Sequence, residues 1–485
     1  MNRSRAGRFA AAAALLAALF VAPAAAHAEP SPPGPFTCPL PLVPSTTHPG
    51  YTVADPRCEL TGAPFVPLTD AAGAPISTVY TGIDDGAAYR IEKPLNWNGE
   101  LVLYAHGYRG QGTTVYVDNP GALRAHYIAR GFAWAASSYQ TNGYDVGQGV
   151  RDSQALISKF ATVTGAAAKS VYMTGASMGG HITAVTIEKY RNTFVGAMPY
   201  CGSIGDTALY DYFLDANVTA AALTDNPITF PAEDPPAEWE AAFRESVKQR
   251  LPLLGTNLGT GIPTFTPLGL KWGEAVERRS GGDRPGFDGA WAYWNARPSL
   301  TPNSDVPFLF GLYPGLSGGT AGIASGNVTD NSHTLYQLDN KWWLSREEFQ
   351  LNREVLRVRA TASASRDLSG IPVVRGDPRI PVLSLHTIGD LFVPLSMEQI
   401  YAREMAWHGQ SRLLVSRAIR AVGHCEFTPQ ELQAGFDDLV SWVRTKNRPA
   451  GDDILDARKV ARPDFGCRFT VGVRSTFVAP ACPAA

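Results

Sequence analysis

The stretch SVYMTGASMGG, residues 170–180, decides the fold. It opens with five β-prone residues that stop at Gly175, and a helical pattern follows over residues 179–191. Between them, residues 175–179 match the pattern G-x-S-x-G. A serine at a sharp strand-to-helix turn needs flanking glycines because side chains there would clash, and the following helix directs its N-terminus at the serine. The stretch therefore predicts Ser177 as a nucleophile, the alternative being an ordinary glycine-rich turn.

Short apolar runs alternate with helical patterns on both sides of this stretch. Strands are predicted at 101–104, 132–136, 194–198, 382–385 and 413–415, and helices at 150–160, 394–407 and 428–444. Strands that alternate with helices at this spacing favour the α/β class, with a mostly parallel sheet and helical crossovers.

The alternation is lost between about residues 203 and 375. Helical pieces are predicted at 236–250 and 346–360, with Pro-rich and Gly-rich stretches between them. Six of the ten tryptophans of the chain fall in this region. We interpret it as an insertion with its own packing and not as a linker. The tryptophans either line an apolar pocket or fill the core of the insertion itself.

The N-terminal residues have the composition of a secretory signal. Three arginines precede an apolar run over residues 9–21, and Ala26 and Ala28 provide the small residues that a signal peptidase reads. A membrane anchor is less favoured because that run is shorter than the roughly 20 residues needed to span a bilayer. We expect a signal peptide at 1–28, an N-terminal extension at 29–86 and a C-terminal tail at 447–485, with no membrane span after signal removal. The formal net charge of −2 excludes a strong pull toward nucleic acid.

Export makes the six cysteines interpretable, because an even number in an oxidising compartment suggests three disulfides among 15 possible pairings. Proximity in sequence favours the pairs Cys38–Cys58 and Cys467–Cys482, which would leave Cys201 and Cys425 for each other. No cysteine or histidine cluster has metal-ligand spacing, so no metal and no organic cofactor is expected.

A serine nucleophile needs a base within hydrogen-bond reach, and histidine is the natural choice because its pKa lies near neutrality. His424 is the best candidate, since it lies in the segment VGHCE between the last predicted strand and the last predicted helix. The alternatives are a surface-loop role for His424 and a base role for His386, which ends a strand.

The acid that orients the base is expected at Asp390, directly after a strand and before His424 in the chain. The alternative is that Asp390 caps the helix after Pro394. The oxyanion of the reaction needs two N–H donors. We expect the backbone N–H groups of Met178 and of Tyr108, although His106-Gly107 also fits a plain turn.

With these residues in place the chain resembles the α/β-hydrolase superfamily. The match rests on His106-Gly107, residues 175–179, Asp390 with Val393-Pro394, and His424. The resemblance implies a catalytic core over 87–203 and 376–446, with a mostly parallel sheet of about eight strands. It also implies that the insertion, residues 204–375, is a cap over the site.

Two further features look like those of secreted feruloyl esterases and tannases, namely Trp97-Asn98-Gly99 and His424-Cys425. In those enzymes a cysteine beside the nucleophile is bonded to one beside the histidine. This chain has Ala176 at the first position. Because the chain departs from the family pattern there, we hypothesise that Cys201, at the end of the next strand, replaces it in a bridge to Cys425 that holds the histidine loop above Ser177.

We expect a secreted serine hydrolase that cleaves small-molecule or polymeric carboxylic esters through an acyl-serine intermediate. Two alternatives remain open. One is a serine peptidase of the prolyl-oligopeptidase type, and the other is a secreted binding protein that keeps the hydrolase scaffold without turnover.

Overall fold

The computed structural model describes residues 43–44, 52–53, 65–110, 116–256, 258, 263–298, 305–318, 326–339, 341 and 343–483. The expected signal peptide and the expected Cys38–Cys58 pair lie outside the described residues.

The core of the molecule is an eight-stranded sheet that is parallel over most of its width. Its strands are β1 (Ser77–Asp84), β2 (Ala87–Pro94), β3 (Glu100–Ala105), β4 (Ala133–Ser137), β5 (Ser170–Ala176), β6 (Gly196–Tyr200), β7 (Val382–Thr387) and β8 (Leu414–Ile419). The spatial order is β1-β2-β4-β3-β5-β6-β7-β8, and only the pairs β1–β2 and β2–β4 are antiparallel. The expected α/β class and the strand number are confirmed. A separate two-stranded antiparallel ladder pairs Val43–Pro44 with Thr52–Val53.

Helices cover both faces of the sheet, which is why its central strands are buried throughout and lack an alternating pattern. The helices are α1 (Ala122–Ala129), α2 (Val146–Thr164), α3 (Met178–Lys189), α4 (Ala208–Leu223), α5 (Ala237–Leu254), α6 (Pro267–Arg279), α7 (Phe287–Asn295), α8 (Phe308–Gly311), α9 (Arg346–Glu354), α10 (Ser396–Trp407), α11 (Pro429–Thr445) and α12 (Ala457–Val460). Short 3₁₀ turns lie at Tyr313–Gly315 and Ser411–Leu413. Helices α1 and α11 pack on one face, and α2, α3 and α10 on the other.

The sheet begins earlier in the chain than expected. Strand β1 lies within the segment assigned to the N-terminal extension, 29–86, and pairs along its whole length with β2. It is an edge strand with a partly exposed, polar sequence, so no apolar run marks it. Helix α9 is also shorter than predicted and ends at Glu354.

The insertion expected to be a cap, residues 204–375, contains helices α4 to α9, which lie between β6 and β7 in the chain, and is called the cap below. Its tryptophans Trp272, Trp291 and Trp294 are buried and belong to the same hydrophobic cluster as the α2–α3 face of the sheet. For these three side chains the structure shows core packing. No helix in the described parts of the chain is both long and apolar enough to cross a bilayer.

Candidate active site

Ser177 occupies the sharp turn between β5 and α3. Its backbone has φ 56° and ψ −122°, a conformation that non-glycine residues rarely adopt. A Cβ atom on Gly175 would lie 2.1 Å from the carbonyl oxygen of Gly179, and one on Gly179 would lie 2.0 Å from that of Ala105. Both glycines of the G-x-S-x-G pattern are therefore steric requirements of the turn that presents the serine.

His424 lies against this serine. Its Nε2 atom is 2.8 Å from the Oγ atom of Ser177, and its Nδ1 atom is 2.6 Å from Oδ2 of Asp390. An ionised carboxylate only accepts hydrogen bonds, so Nδ1 carries the proton and Nε2 is the atom that accepts from the serine hydroxyl. The structure thus brings the three side chains into one hydrogen-bonded line.

Asp390 is fully buried in the acid loop, residues 388–393, which follows β7. While Oδ2 faces His424, Oδ1 accepts hydrogen bonds from the backbone N–H groups of Phe392 at 2.8 Å and Val393 at 3.1 Å. Helix α10 begins at Ser396 with Leu395 as its N-cap, so Asp390 does not cap it.

The two expected oxyanion donors belong to segments next to the serine. Met178 is the first residue of α3, and a Cβ atom added to Gly107 would lie 3.1 Å from the Cβ atom of Ser177, which places the turn before Tyr108 beside the nucleophile. Among the described residues, neither the N–H of Met178 nor that of Tyr108 donates to a protein acceptor.

His106 contacts that turn and the end of the neighbouring strand β4. Its Nδ1 atom lies 2.7 Å from the carbonyl oxygen of Gly107, and its Nε2 atom lies 3.2 Å from that of Ser138. The ring stacks on Tyr139 with centroids 4.0 Å apart. Burial, and then the nearby charge of Arg109, lower the pKa of His106 well below its usual value.

No family model matches the chain. The chain is 22% identical over 432 residues to o-phthalyl amidase of Xanthobacter agilis, an alignment that covers 80% of this chain and 92% of that protein.

Three solved structures are similar to the chain. Feruloyl esterase B from Aspergillus oryzae is 15% identical, with 79% of this chain and 86% of that one covered and a TM-score of 0.37. The rice cell wall degrading esterase LipA from Xanthomonas oryzae is 13% identical, with 77% and 88% covered and a TM-score of 0.36. The acylaminoacyl peptidase of Pyrococcus horikoshii is 10% identical, with 80% and 44% covered and a TM-score of 0.34.

The sheet order, the serine at the turn after β5 and the chain order Ser177, Asp390, His424 are together decisive. The protein has the α/β-hydrolase fold. Within this hydrolase fold the first antiparallel strands lie at one edge of the sheet, and the serine lies at the carboxyl end of a central strand.

A disulfide between Cys201 and Cys425 connects the end of β6 to the base turn, residues 422–426, which carries His424. The Sγ atom of Cys425 lies 3.5 Å from Nε2 of His424. The two sulfurs are bonded to each other and therefore cannot act as thiolate ligands of a metal. Cys467 and Cys482 form the second described disulfide. Both pairs agree with the expected pairing.

His386, the second candidate for the base, lies elsewhere in the molecule. It is buried behind the acid loop, with Nε2 2.7 Å from the carbonyl oxygen of Val393 and Nδ1 3.3 Å from Oε1 of Glu398. Burial opposes its charge, but the contact with the Glu398 carboxylate prevails and raises the pKa of His386. The structure therefore assigns His386 to the support of the acid loop.

Sequence reasoning missed two aromatic residues at the site. The ring of Phe392 lies 4.9 Å from that of His424, and its position two residues after Asp390 is a local signal that was overlooked. Trp294 in the cap donates its indole N–H to the acid loop and to the base turn. It precedes Gly389 by 95 residues, and no spacing rule connects them.

Proposed function

We propose that this protein is a serine hydrolase that cleaves carboxylic esters through an acyl intermediate on Ser177. The observation that carries the proposal is the hydrogen-bonded line from the Ser177 hydroxyl through His424 to the buried Asp390 carboxylate. Serine alcohols are poor nucleophiles at neutral pH, and a histidine in this position removes the proton as the new bond forms.

The reaction balances with these groups alone. His424 takes the Ser177 proton while Oγ adds to the ester carbonyl, and the resulting imidazolium gives that proton to the departing alkoxide. Water then repeats the sequence on the acyl-serine, with His424 as base for the water and as acid for the serine oxygen. Asp390 keeps the imidazole in the required tautomer and stabilises its positive charge.

We assign oxyanion stabilisation to the backbone N–H groups of Met178 and Tyr108. Support comes from their position beside Ser177, from their lack of a protein acceptor among the described residues, and from the N-terminus of α3 at the same point. Each such donor contributes about 2.7–4 kcal/mol to transition-state stabilisation in comparable enzymes.

Two observations bear on the bond that is cleaved. The half-buried Phe392 presents an apolar ring beside His424, which favours a substrate with an apolar or aromatic group. The similarity to o-phthalyl amidase over nearly the whole length of that protein supports amide hydrolysis as a second candidate. Esters remain our first choice because their alkoxide leaves more readily than an amine and the same groups serve both reactions.

The test compares one acyl group in two linkages, p-nitrophenyl acetate and p-nitroacetanilide, using the mature protein and a fluorophosphonate probe. We expect labelling of the wild type, rapid release of p-nitrophenol and little release of p-nitroaniline. Ser177→Ala should abolish labelling and turnover. Ser153→Ala is the matched control, since Ser153 is buried with no partner for its hydroxyl within the described chain.

Each other outcome identifies an alternative. Comparable turnover of the anilide would favour an amidase, and cleavage of peptide anilides alone would favour a peptidase. A wild-type protein that neither labels nor turns over either substrate would leave the non-catalytic binding protein as the better explanation.

We also propose export, with cleavage after Ala28, and a chain divided into the catalytic core, the cap and the tail named above. Two described disulfides support an oxidising destination. N-terminal sequencing of protein recovered from the culture medium tests this, with Glu29 expected as the first residue. Retention of residues 1–28 would contradict it.

A further inference from the structure

We propose that the cap positions the catalytic groups, with Trp294 as a positioning residue for both Asp390 and His424. The inference rests on the proposed function, because it assigns a role in the same site. It concerns a contact between the cap helix α7 and the two segments defined above, the acid loop and the base turn.

Trp294 lies at the junction of these two segments. Its indole Nε1–H is 3.1 Å from the carbonyl oxygen of Gly389 and 2.9 Å from that of Val422. Gly389 directly precedes Asp390, and Val422 lies two residues before His424. A single donor in the cap therefore bridges the backbone that carries the acid and the backbone that carries the base.

Two more cap side chains hold other carbonyl groups of the acid loop. The Nε atom of Arg284 donates to the carbonyl oxygen of Ile388 at 2.6 Å, and the hydroxyl of Tyr212 donates to that of Leu391 at 3.1 Å. Both side chains are buried. The carbonyl groups on both sides of Asp390 thus receive their hydrogen bonds from the cap and not from the sheet.

The sequence of the acid loop is adapted to this close contact. A Cβ atom on Gly389 would lie 2.7 Å from the carbonyl oxygen of Ala421 and 3.2 Å from the Cβ atom of Ala290, one turn before Trp294 on α7. Only glycine leaves room for helix α7 to approach both segments at once. On the other side, Trp294 packs against Phe308 with ring centroids 4.6 Å apart.

These contacts bear on how the cap acts. Movement of α7 away from the sheet would leave buried carbonyl groups without donors beside Asp390, which is costly, and would release the acid loop and the base turn from each other. The cap at this point therefore forms a fixed part of the site, and the geometry of the triad depends on it.

The chain offers a matched control on the same helix. Trp291 is also buried, but its indole nitrogen has no hydrogen-bond partner within the described chain. Trp294→Phe and Trp291→Phe remove the same atoms from neighbouring turns of α7. Only the first breaks a hydrogen bond to the acid loop and the base turn, so a purely structural role predicts equal effects of the two changes.

The experiment measures kcat, KM and the downfield proton NMR signal of the His424 Nδ1–H in the wild type and in both variants. We expect Trp294→Phe to lower kcat about tenfold with little change in KM, since it loosens groups that act in the transition state. The NMR signal should shift or broaden. Trp291→Phe should retain the wild-type kcat and NMR signal. The midpoint of thermal unfolding should be similar in the two variants.

Equal kcat values and unchanged NMR signals for the two variants would overturn the inference. The NMR readout does not require turnover, so an inactive wild type would count against the proposed function while leaving the positioning role open to this test. If Trp294→Phe does not fold, Tyr212→Phe replaces it, because it removes only the hydroxyl that holds Leu391. A kcat equal to that of the wild type would then refute the role of the cap.

Discussion

The disulfide between Cys201 and Cys425 connects the carboxyl end of β6 directly to the turn that carries His424. Because β6 is the neighbour of β5, which ends at the serine, the bridge ties the base to the sheet next to its proposed partner. The two cysteines are separated by 224 residues, and the loop that the disulfide closes contains the whole cap. The base turn is therefore joined both to Trp294 of the cap and, through this bridge, to the sheet.

Removal of this disulfide should reduce both activity and stability. We expect Cys201→Ala/Cys425→Ala to lower kcat by up to about 100-fold, because a displacement of the base on the order of 1 Å has that effect. In the chain-entropy model the loss in the free energy of unfolding is on the order of 5 kcal/mol. Ester kinetics and urea denaturation measure the two effects.

The second described disulfide provides the comparison. Cys467→Ala/Cys482→Ala opens a loop with a sequence separation of only 15, so the expected loss is about 3 kcal/mol. The kcat of this double variant should remain that of the wild type. Equal losses of kcat in the two double variants would show that the Cys201–Cys425 bridge has no specific effect on the base.

Asp390→Asn should abolish most turnover while leaving the fold intact. The asparagine oxygen can accept from the N–H groups of Phe392 and Val393, as Oδ1 does now, and its amide group then donates toward Nδ1 of His424. That favours the tautomer with the proton on Nε2, which can no longer accept from Ser177. We expect kcat to fall about 10⁴-fold, the size of this effect in a serine protease triad.

The control for this change is Asp452→Asn. Asp452 also accepts a hydrogen bond from a backbone N–H group, that of Ala418 on β8 at 2.8 Å, but it has no contact with the triad. The kcat of the Asp452→Asn variant should stay near that of the wild type. If the two variants lost the same small amount of activity, Asp390 would have no role in orienting the base.

The site residues that could be predicted from sequence are those that follow from a local sequence pattern or from chain order. The turn at Ser177 follows from a strand, two glycines and a helix within eleven residues, and the steric contacts of Gly175 and Gly179 explain why the pattern is so restrictive. Asp390 and His424 follow from chain order after two strands. The structure brings these side chains together, and their catalytic roles remain predictions.

The features that escaped prediction depend on tertiary contacts. Helix α4 is apolar and buried on nearly every side, so it has no amphipathic period that would mark it as a helix. The roles of Trp294, Arg284 and Tyr212 depend on how the cap packs on the acid loop, and nothing in their own sequence surroundings indicates this.

His181 provides a prediction about stability at low pH. It is fully buried on α3, with Nε2 2.7 Å from the carbonyl oxygen of Pro372 and Nδ1 3.1 Å from the hydroxyl of Tyr144. A carbonyl group only accepts, so Nε2 carries the proton and Nδ1 accepts from Tyr144. Burial lowers the pKa of His181 from 6.5 to about 4, although the Pro372 carbonyl opposes the shift.

The sign of the effect follows from proton binding. Between pH 6.5 and about 4 the unfolded chain binds a proton at His181 and the folded protein does not, so the free energy of unfolding decreases as the pH falls through this window. The contribution of this one group is roughly 3 kcal/mol over the window. Urea denaturation at pH 7 and at pH 4.5 measures the decrease for the wild type.

His181→Gln isolates the contribution of this residue. Glutamine keeps an N–H group that can donate to the Pro372 carbonyl but does not titrate, while all other ionisable groups remain common to both proteins. The variant should therefore lose clearly less stability than the wild type between pH 7 and pH 4.5, even if it is less stable at pH 7 because its packing is poorer. Equal decreases in the two proteins would mean that His181 is protonated in the folded state. In that case the hydroxyl of Tyr144 would have to accept a hydrogen bond from Nδ1 of His181. The direction assigned above to the hydrogen bond between Tyr144 and His181 would then be wrong.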